Sequence, residues 1–311
     1  MTERKPVLSV RNLTKIYPKT PPFIAVDRIS FDLAPGEILG LLGANGAGKT
    51  TTIQMLISTL TYSSGEVFYF GKEFIKHRSE VLKKIVFAST YVSLPWNLTI
   101  EQNLKIFARL YGLSKSDIFT RIDPLLSRFG ILDKKKELVS NLSAGQITRL
   151  VLVKAFLMQP KILLLDEPTA SLDPDVAHDV CQYLLEQRDK QGISILFTSH
   201  KMDEVAEICD RVLFMQKGKI IADDLPETLA RSVSSCKIQL LVGDGMKRTI
   251  AIAEKMKLQY QTEVRTIEIK LDEMKIASLL AALAKAGVEY TNVKIIQPTL
   301  EDYFLKMVEK K

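Results

Sequence analysis

Cysteine is scarce in this chain, with three residues in 311: Cys181, Cys209 and Cys236. The count is odd and no pair has a metal-ligand spacing, which points away from a disulfide framework and toward thiols that simply pack in a reducing compartment. Long apolar runs are also missing. No segment approaches the roughly 18 consecutive apolar residues of a spanning helix. The N-terminal MTERKPVLSV lacks the apolar stretch of a signal peptide. The expectation is a cytosolic chain that is not itself embedded. A basic block is absent as well. The net charge of +7 would suit nucleic acid, an anionic membrane surface or phosphate ligands, but the lysines are spread along the chain, so charge does not choose among these partners. What is present is an ordinary globular composition, 46% hydrophobic and 25% charged, with material for one large or two modest domains.

Strand-like and helical runs alternate along the chain. EILGLLG (37–43), KILLLDE (161–167) and ISILFTSH (193–200) are continuous apolar runs ending in Gly or polar residues. Strands buried on both faces of a parallel α/β sheet read this way, and ligands gather at their carboxyl ends. LSVRNLTKIY and FDLAPGE are shorter and alternating, which suggests an antiparallel subdomain near the N-terminus. A mainly helical insert occupies about 94–150, with breaks expected at Pro95, Gly112, Pro124 and Gly130. Beyond residue 225 the pattern changes. CKIQLLV, EVRTIEIKL and YTNVKII read as strands, interleaved with helices around 246–257, 274–285 and 300–309. This tail, 226–311, is expected to be a separate small α+β domain after a larger domain spanning 1–225.

The strongest chemical signal is GANGAGKT, Gly43 to Thr50, which fits the G-x-x-x-x-G-K-[ST] phosphate loop between a strand and a helix. Gly43, Gly46 and Gly48 let backbone N–H groups surround phosphates, with Asn45 and Thr51 beside them. Lys49 supplies a positive charge and Thr50 a hydroxyl for Mg²⁺. The apolar strand ILLL then ends in Asp166, suited to hold Mg²⁺ through water, with Glu167 beside it as candidate base for an attacking water. LSAGQ, Leu142 to Gln146, resembles a second helix start with a Ser cap, and such an N-terminus invites an anion.

These motifs, together with SLD (171–173) and His200 at the end of the next strand, come in an order that closely resembles the ATP-binding subunits of ABC transporters over about the first 225 residues. The resemblance implies a P-loop NTPase fold of ABC type: a parallel-sheet core, an antiparallel β subdomain, a helical subdomain and here a small C-terminal α+β domain. It implies that two chains sandwich two MgATP. Ser143, Gly145 and Gln146 would meet the nucleotide held by the opposite chain's loop. Tyr17 would stack on adenine and Asp173 would lie in a dimer-contacting loop. His200 would hydrogen-bond the γ-phosphate and position water. It further implies a separate transmembrane permease as partner, docked at the groove that holds Leu94, Pro95, Trp96 and Leu98, with the chain peripheral on the cytoplasmic face of the membrane and no nucleic-acid partner. The ending IIQPTLEDYFLKM is similar to that of export ATPases of the daunorubicin-resistance type, which favours export.

Two departures qualify the resemblance. Ala144 stands where the family usually has Gly, while Gly145 is kept. The family's metal-contacting Gln falls near Thr90, whose hydroxyl could take its place directly or through water, so slower turnover is expected. Two other readings remain at the level of sequence: a soluble ABC-type ATPase acting on nucleic acid or ribosomes, and a poorly hydrolysing ATP-binding regulatory subunit.

Overall fold

A computed structural model describes residues 5–89, 94–233 and 236–309, with side chains to residue 307. The chain forms two compact units, Met1–Leu225 and Pro226–Lys311.

The first unit opens with β1 (Leu8–Tyr17) and β2 (Phe23–Leu33), followed by β3 (Ile38–Leu42), α1 (Lys49–Leu56), β4 (Ser64–Tyr69), β5 (Lys72–Glu73), α2 (Arg78–Leu82) and β6 (Ile85–Ser89). Then come α3 (Ile100–Leu110), α4 (Lys115–Arg128) and α5 (Ala144–Leu157). The unit closes with β7 (Ile162–Asp166), α6 (Pro174–Gln191), β8 (Ser194–Thr198), α7 (Met202–Ile208), β9 (Arg211–Gln216) and β10 (Lys219–Asp224). Two sheets result. The antiparallel one has the order β2-β1-β4-β5, and the other, β10-β9-β3-β8-β7-β6, is parallel except for its β10 edge. Every residue of β3, β7 and β8 is buried, as the unbroken apolar runs require for strands covered on both faces. This packing puts the carboxyl ends of β3, β7 and β8 side by side, where the ligand crevice of an open α/β sheet lies.

The helical insert is real, but Pro124 does not break it. It lies inside α4, whose Ile118, Ile122 and Leu126 are buried at helical spacing. Packing of that apolar face outweighs the roughly 3 kcal/mol that an interior proline costs. α3 starts with a capping box in which the Thr99 hydroxyl accepts from the Gln102 N–H and the Gln102 side chain accepts from the Thr99 N–H.

The second unit contains α8 (Pro226–Arg231), β11 (Cys236–Asp244), α9 (Met246–Lys255), β12 (Gln259–Glu263), β13 (Thr266–Leu271), α10 (Ile276–Lys285), β14 (Glu289–Ile296) and α11 (Leu300–Glu309). Its antiparallel sheet runs β12-β13-β11-β14. Ile238, Leu240, Ile267 and Ile269 form a core with Ala253, Leu279 and Leu283 of the covering helices. The segment EVRTIEIKL is not one strand. The chain reverses at Val264 and Arg265, with Val264 fully exposed at φ 40°, and QYQTE forms an additional strand. The alternating signal of QYQTE is weak because β12 is an almost wholly exposed edge.

Each unit has a core of its own, and the phosphate loop, Asp166 and His200 all lie in the first. A chain ending at Leu225 should therefore keep MgATP affinity within about threefold of the full chain in titration calorimetry, well under the 1.4 kcal/mol that a tenfold change requires. A folded truncation that no longer binds MgATP would overturn this independence.

Candidate active site

The phosphate loop joins the end of β3 to α1, and its glycines are needed for steric reasons. Gly43 has φ 149°, and a Cβ there would fall 2.3 Å from the Met215 carbonyl oxygen. Gly48 has φ 110°, and a Cβ would fall 2.7 Å from the Ala25 carbonyl oxygen. Gly46 (φ 80°) and Asn45 form the exposed outer rim. Lys49 curls over the loop, its Nζ donating to the Gly43 carbonyl at 2.6 Å and the Ala44 carbonyl at 3.4 Å. Burial pulls its pKa below the ordinary lysine value, while Glu167 and Asp166 act against that shift. The ammonium is thus partly withdrawn from water within electrostatic reach of both carboxylates. Thr50 is exposed in the first turn of α1 and Thr51 half-buried.

β7 and β8 deliver the acidic pair. Asp166 is 4% exposed, and its Oδ1 accepts a hydrogen bond of 2.7 Å from the Thr198 hydroxyl on β8. The same Thr198 oxygen accepts from the Glu167 N–H at 3.1 Å, as does the Thr198 carbonyl. Glu167 has φ 53°, uncommon for a residue with a Cβ, and these two bonds hold it there. Its Oε2 lies 2.6 Å from His200 Nδ1 and accepts from the His200 N–H at 3.4 Å. The candidate base and the candidate γ-phosphate ligand are therefore joined directly. Thr198 carried no sequence signal of its own, because it reads as the end of an apolar strand.

An oxygen-only donor set of the Thr50 hydroxyl and the Asp166 carboxylate suits Mg²⁺, which keeps water and substrate phosphates as its other ligands. Among the described residues no group of three or more His, Cys, Asp or Glu could hold a metal ion. Thr90, the third expected metal contact, lies outside the described residues. β6 ends at Ser89, in register with Asp166.

Ser143 caps α5. Its hydroxyl accepts from the Gln146 N–H at 3.3 Å, and Gln146 Oε1 accepts from the Ser143 N–H at 2.9 Å. The Gln146 carboxamide is accordingly engaged in holding the helix end. A Cβ on Gly145 would lie 3.2 Å from the Ser171 carbonyl oxygen, so the start of α5 sits against the loop that leads to Asp173. Ser143 and Asp173 are both exposed. Tyr17, at the end of β1, is half-buried, and Trp96 is 58% exposed. All three cysteines are buried free thiols. Burial pushes Cys181 up to about 12 and Cys209 well above its usual value, which keeps both protonated and inert.

Residues 26–170 match the family model described as ABC transporter. The chain is 32% identical to the Nod factor export ATP-binding protein I of Cupriavidus metallidurans over 97% of both chains. The chain belongs to the ABC transporter family. It is an ATP-binding, ATP-hydrolysing subunit of that family. It is also 29% identical to the linearmycin resistance ATP-binding protein LnrL of Bacillus subtilis, covering 97% of this chain and 98% of that one. A solved ATP-binding subunit of an ABC transporter superposes with a TM-score of 0.68 at 27% identity, over 73% of this chain and 92% of its own. The described residues contain no helix long and apolar enough to cross a membrane.

Thr198→Val keeps the volume of a fully buried side chain while removing both hydroxyl bonds. It should destabilise the first unit by about 1–3 kcal/mol in denaturant unfolding. It should also lower kcat for ATP more than KM, because Asp166 and Glu167 lose a common anchor. An unchanged kcat would remove Thr198 from the site's architecture.

Proposed function

We propose that this ATPase subunit works as a dimer around two MgATP and drives export through a separate membrane permease. The observation that supports the chemistry best is the junction of Lys49, Asp166, Glu167 and His200 at adjacent strand ends. The loop amides and Lys49 bind and orient the triphosphate. Thr50 and Asp166 would hold Mg²⁺, which when bound neutralises phosphate charge. Glu167 accepts the proton of the attacking water, and His200, tied to Glu167 Oε2, keeps that carboxylate aimed at the γ-phosphate.

The dimeric arrangement is supported by the exposed start of α5. Its cap is already complete through Ser143 and Gln146, and it has no acidic residue in its first turn, so its remaining N–H groups and dipole favour an incoming anion. Asp173 stands exposed two residues beyond Ser171, whose carbonyl lies against Gly145. A homodimer is the simplest assembly that supplies each phosphate loop with such a partner surface. Export is supported by the relatives named for Nod factor export and linearmycin resistance. A permease contact is supported by Trp96, exposed on a loop that Asn103 Nδ2 braces through the Pro95 and Thr99 carbonyls, both at 3.1 Å, because an exposed tryptophan on an ordered loop is a common interface anchor.

Glu167→Gln should lower kcat by at least 10²-fold and leave the Kd for MgATP within a few-fold, since the amide keeps the shape and loses the proton acceptor. Turnover at the parent rate would refute the role of Glu167.

The shared site is tested by mixing two variants. Lys49→Ala loses its own phosphate charge, and Ser143→Arg blocks the start of α5. In a mixed dimer both lesions fall in one site, and the other site is whole. ATP-dependent association, measured by light scattering, should recover on mixing. Freely exchanging subunits that show no more association than either variant alone would refute the sharing.

A further inference from the structure

The first turn of α7 carries a carboxylate that is largely withdrawn from water. The Glu204 side chain is 13% exposed, and a carboxylate so placed persists only where hydrogen-bond donors compensate it. Three do so here. Glu204 Oε2 accepts from the Thr169 hydroxyl at 2.5 Å and from the Ser199 hydroxyl at 3.4 Å, and its Oε1 accepts from Lys201 Nζ at 2.9 Å. Thr169 and Ser199 are each 1% exposed. Lys201 closes the arrangement, its Nζ donating also to the Thr169 carbonyl at 3.3 Å and its N–H to the Ser199 hydroxyl at 3.0 Å.

The two hydroxyls belong to different segments of the site. Thr169 stands two residues beyond Glu167 and two before Ser171, whose carbonyl lies against Gly145 at the start of α5. Ser199 directly precedes His200. Both ends of the Glu167–His200 contact are thus continued by residues whose hydroxyls meet on one Glu204 oxygen. The loop's own backbone bonds, from the Ala170 N–H to the Glu167 carbonyl at 3.3 Å and from the Leu172 N–H to the Thr169 carbonyl at 3.2 Å, run within it, whereas Glu204 and Lys201 tie it to the segment at His200. A packed apolar side chain often serves stability as well as a buried ionic group. What the carboxylate adds is direction, because each hydrogen bond has a preferred distance and angle.

We propose that Glu204 is a positioning residue for ATP hydrolysis, whose carboxylate clasps the Thr169 and Ser199 hydroxyls so that Glu167, His200 and the 169–173 loop hold one common geometry. Glu204 itself touches no reacting atom. It acts through Thr169 on the loop that leads from the candidate base toward the start of α5, and through Ser199 on the backbone that carries His200. The proposal rests on the reading of Glu167 as the base and of His200 as its partner at the γ-phosphate, and adds the residue that keeps the two in register.

The test uses the full chain and compares Glu204→Ala, Glu204→Gln, Thr169→Val and the double variant Thr169→Val/Glu204→Ala in steady-state ATP hydrolysis, with MgADP affinity by titration calorimetry as the measure of the phosphate loop. Glu204→Ala should lower kcat by roughly ten- to a hundredfold, the scale on which misplaced groups cost rate. KM and the Kd for MgADP should stay within about twofold. Glu204→Gln should recover most of kcat, because its carbonyl oxygen can accept from both hydroxyls. Thr169→Val keeps the side-chain shape and loses the same bond, so it should also lower kcat, and it carries the test if Glu204→Ala fails to fold. The double variant should fall no more than about twofold below the slower single variant, since both changes break one contact. The proposal is overturned if Glu204→Ala and Thr169→Val keep the parent's kcat, or if their losses multiply in the double variant. It is equally overturned if MgADP affinity falls together with kcat and Glu204→Gln gives no recovery, since the residue is then only structural. Glu167→Gln separates this proposal from the reading beneath it: parental turnover in that variant would refute the base assignment, whatever Glu204→Ala shows.

Discussion

The candidate active site depends on one buried hydroxyl. Thr198, at 0% exposure, donates its single proton to Asp166 Oδ1, which turns its lone pairs toward the Glu167 N–H. One oxygen thereby fixes the carboxylate that would hold the cation and the backbone of the residue that would take the proton. Glu167 is kept at a positive φ, a conformation that costs about 1–3 kcal/mol and persists only where surrounding bonds enforce it. The adjacent parallel pairing of β7 with β8 places Asp166 opposite Thr198, so the geometry follows from strand register rather than from a flexible loop.

That register also explains what could be read from the sequence and what could not. The phosphate loop, Asp166, Glu167 and His200 stand out as candidates in the sequence because phosphate chemistry asks for particular residue types at fixed offsets from a strand end. The buried strands were legible because covering both faces leaves no room for alternation. Thr198 was not, since a hydroxyl inside FTSH looks like any β-branched strand residue until its partner strand is known. Gln146 gave the opposite difficulty. It reads as part of a ligand motif, yet its carboxamide completes a capping box with Ser143.

Outside the site, the differences come from tertiary packing and from edges. Pro124 lies within α4 because three buried aliphatic residues on one face hold the helix through it. β12 leaves little mark on the sequence because an edge strand with four of its five residues exposed has no buried face to impose a period of two. Both cases show that the hydrophobic pattern reports burial first and secondary structure only through it.

Charge placement at helix starts supplies a further constraint on how the first unit can work. α2, α3, α4, α6 and α7 each carry an acidic residue in the first turn, whereas α1 and α5 carry none. An acidic side chain there stabilises a helix by roughly 0.3–1 kcal/mol, so its omission leaves stability unclaimed. At α1 the proposed function supplies the reason, because a carboxylate would repel a triphosphate bound at Gly46, Gly48 and Lys49. α5 has the same omission, with its capping box closed internally and its start exposed beside the Ser171 loop. The physical logic that keeps α1 free for an anion applies equally to α5, and in the proposed dimer the triphosphate held by the phosphate loop of a second copy would be that anion.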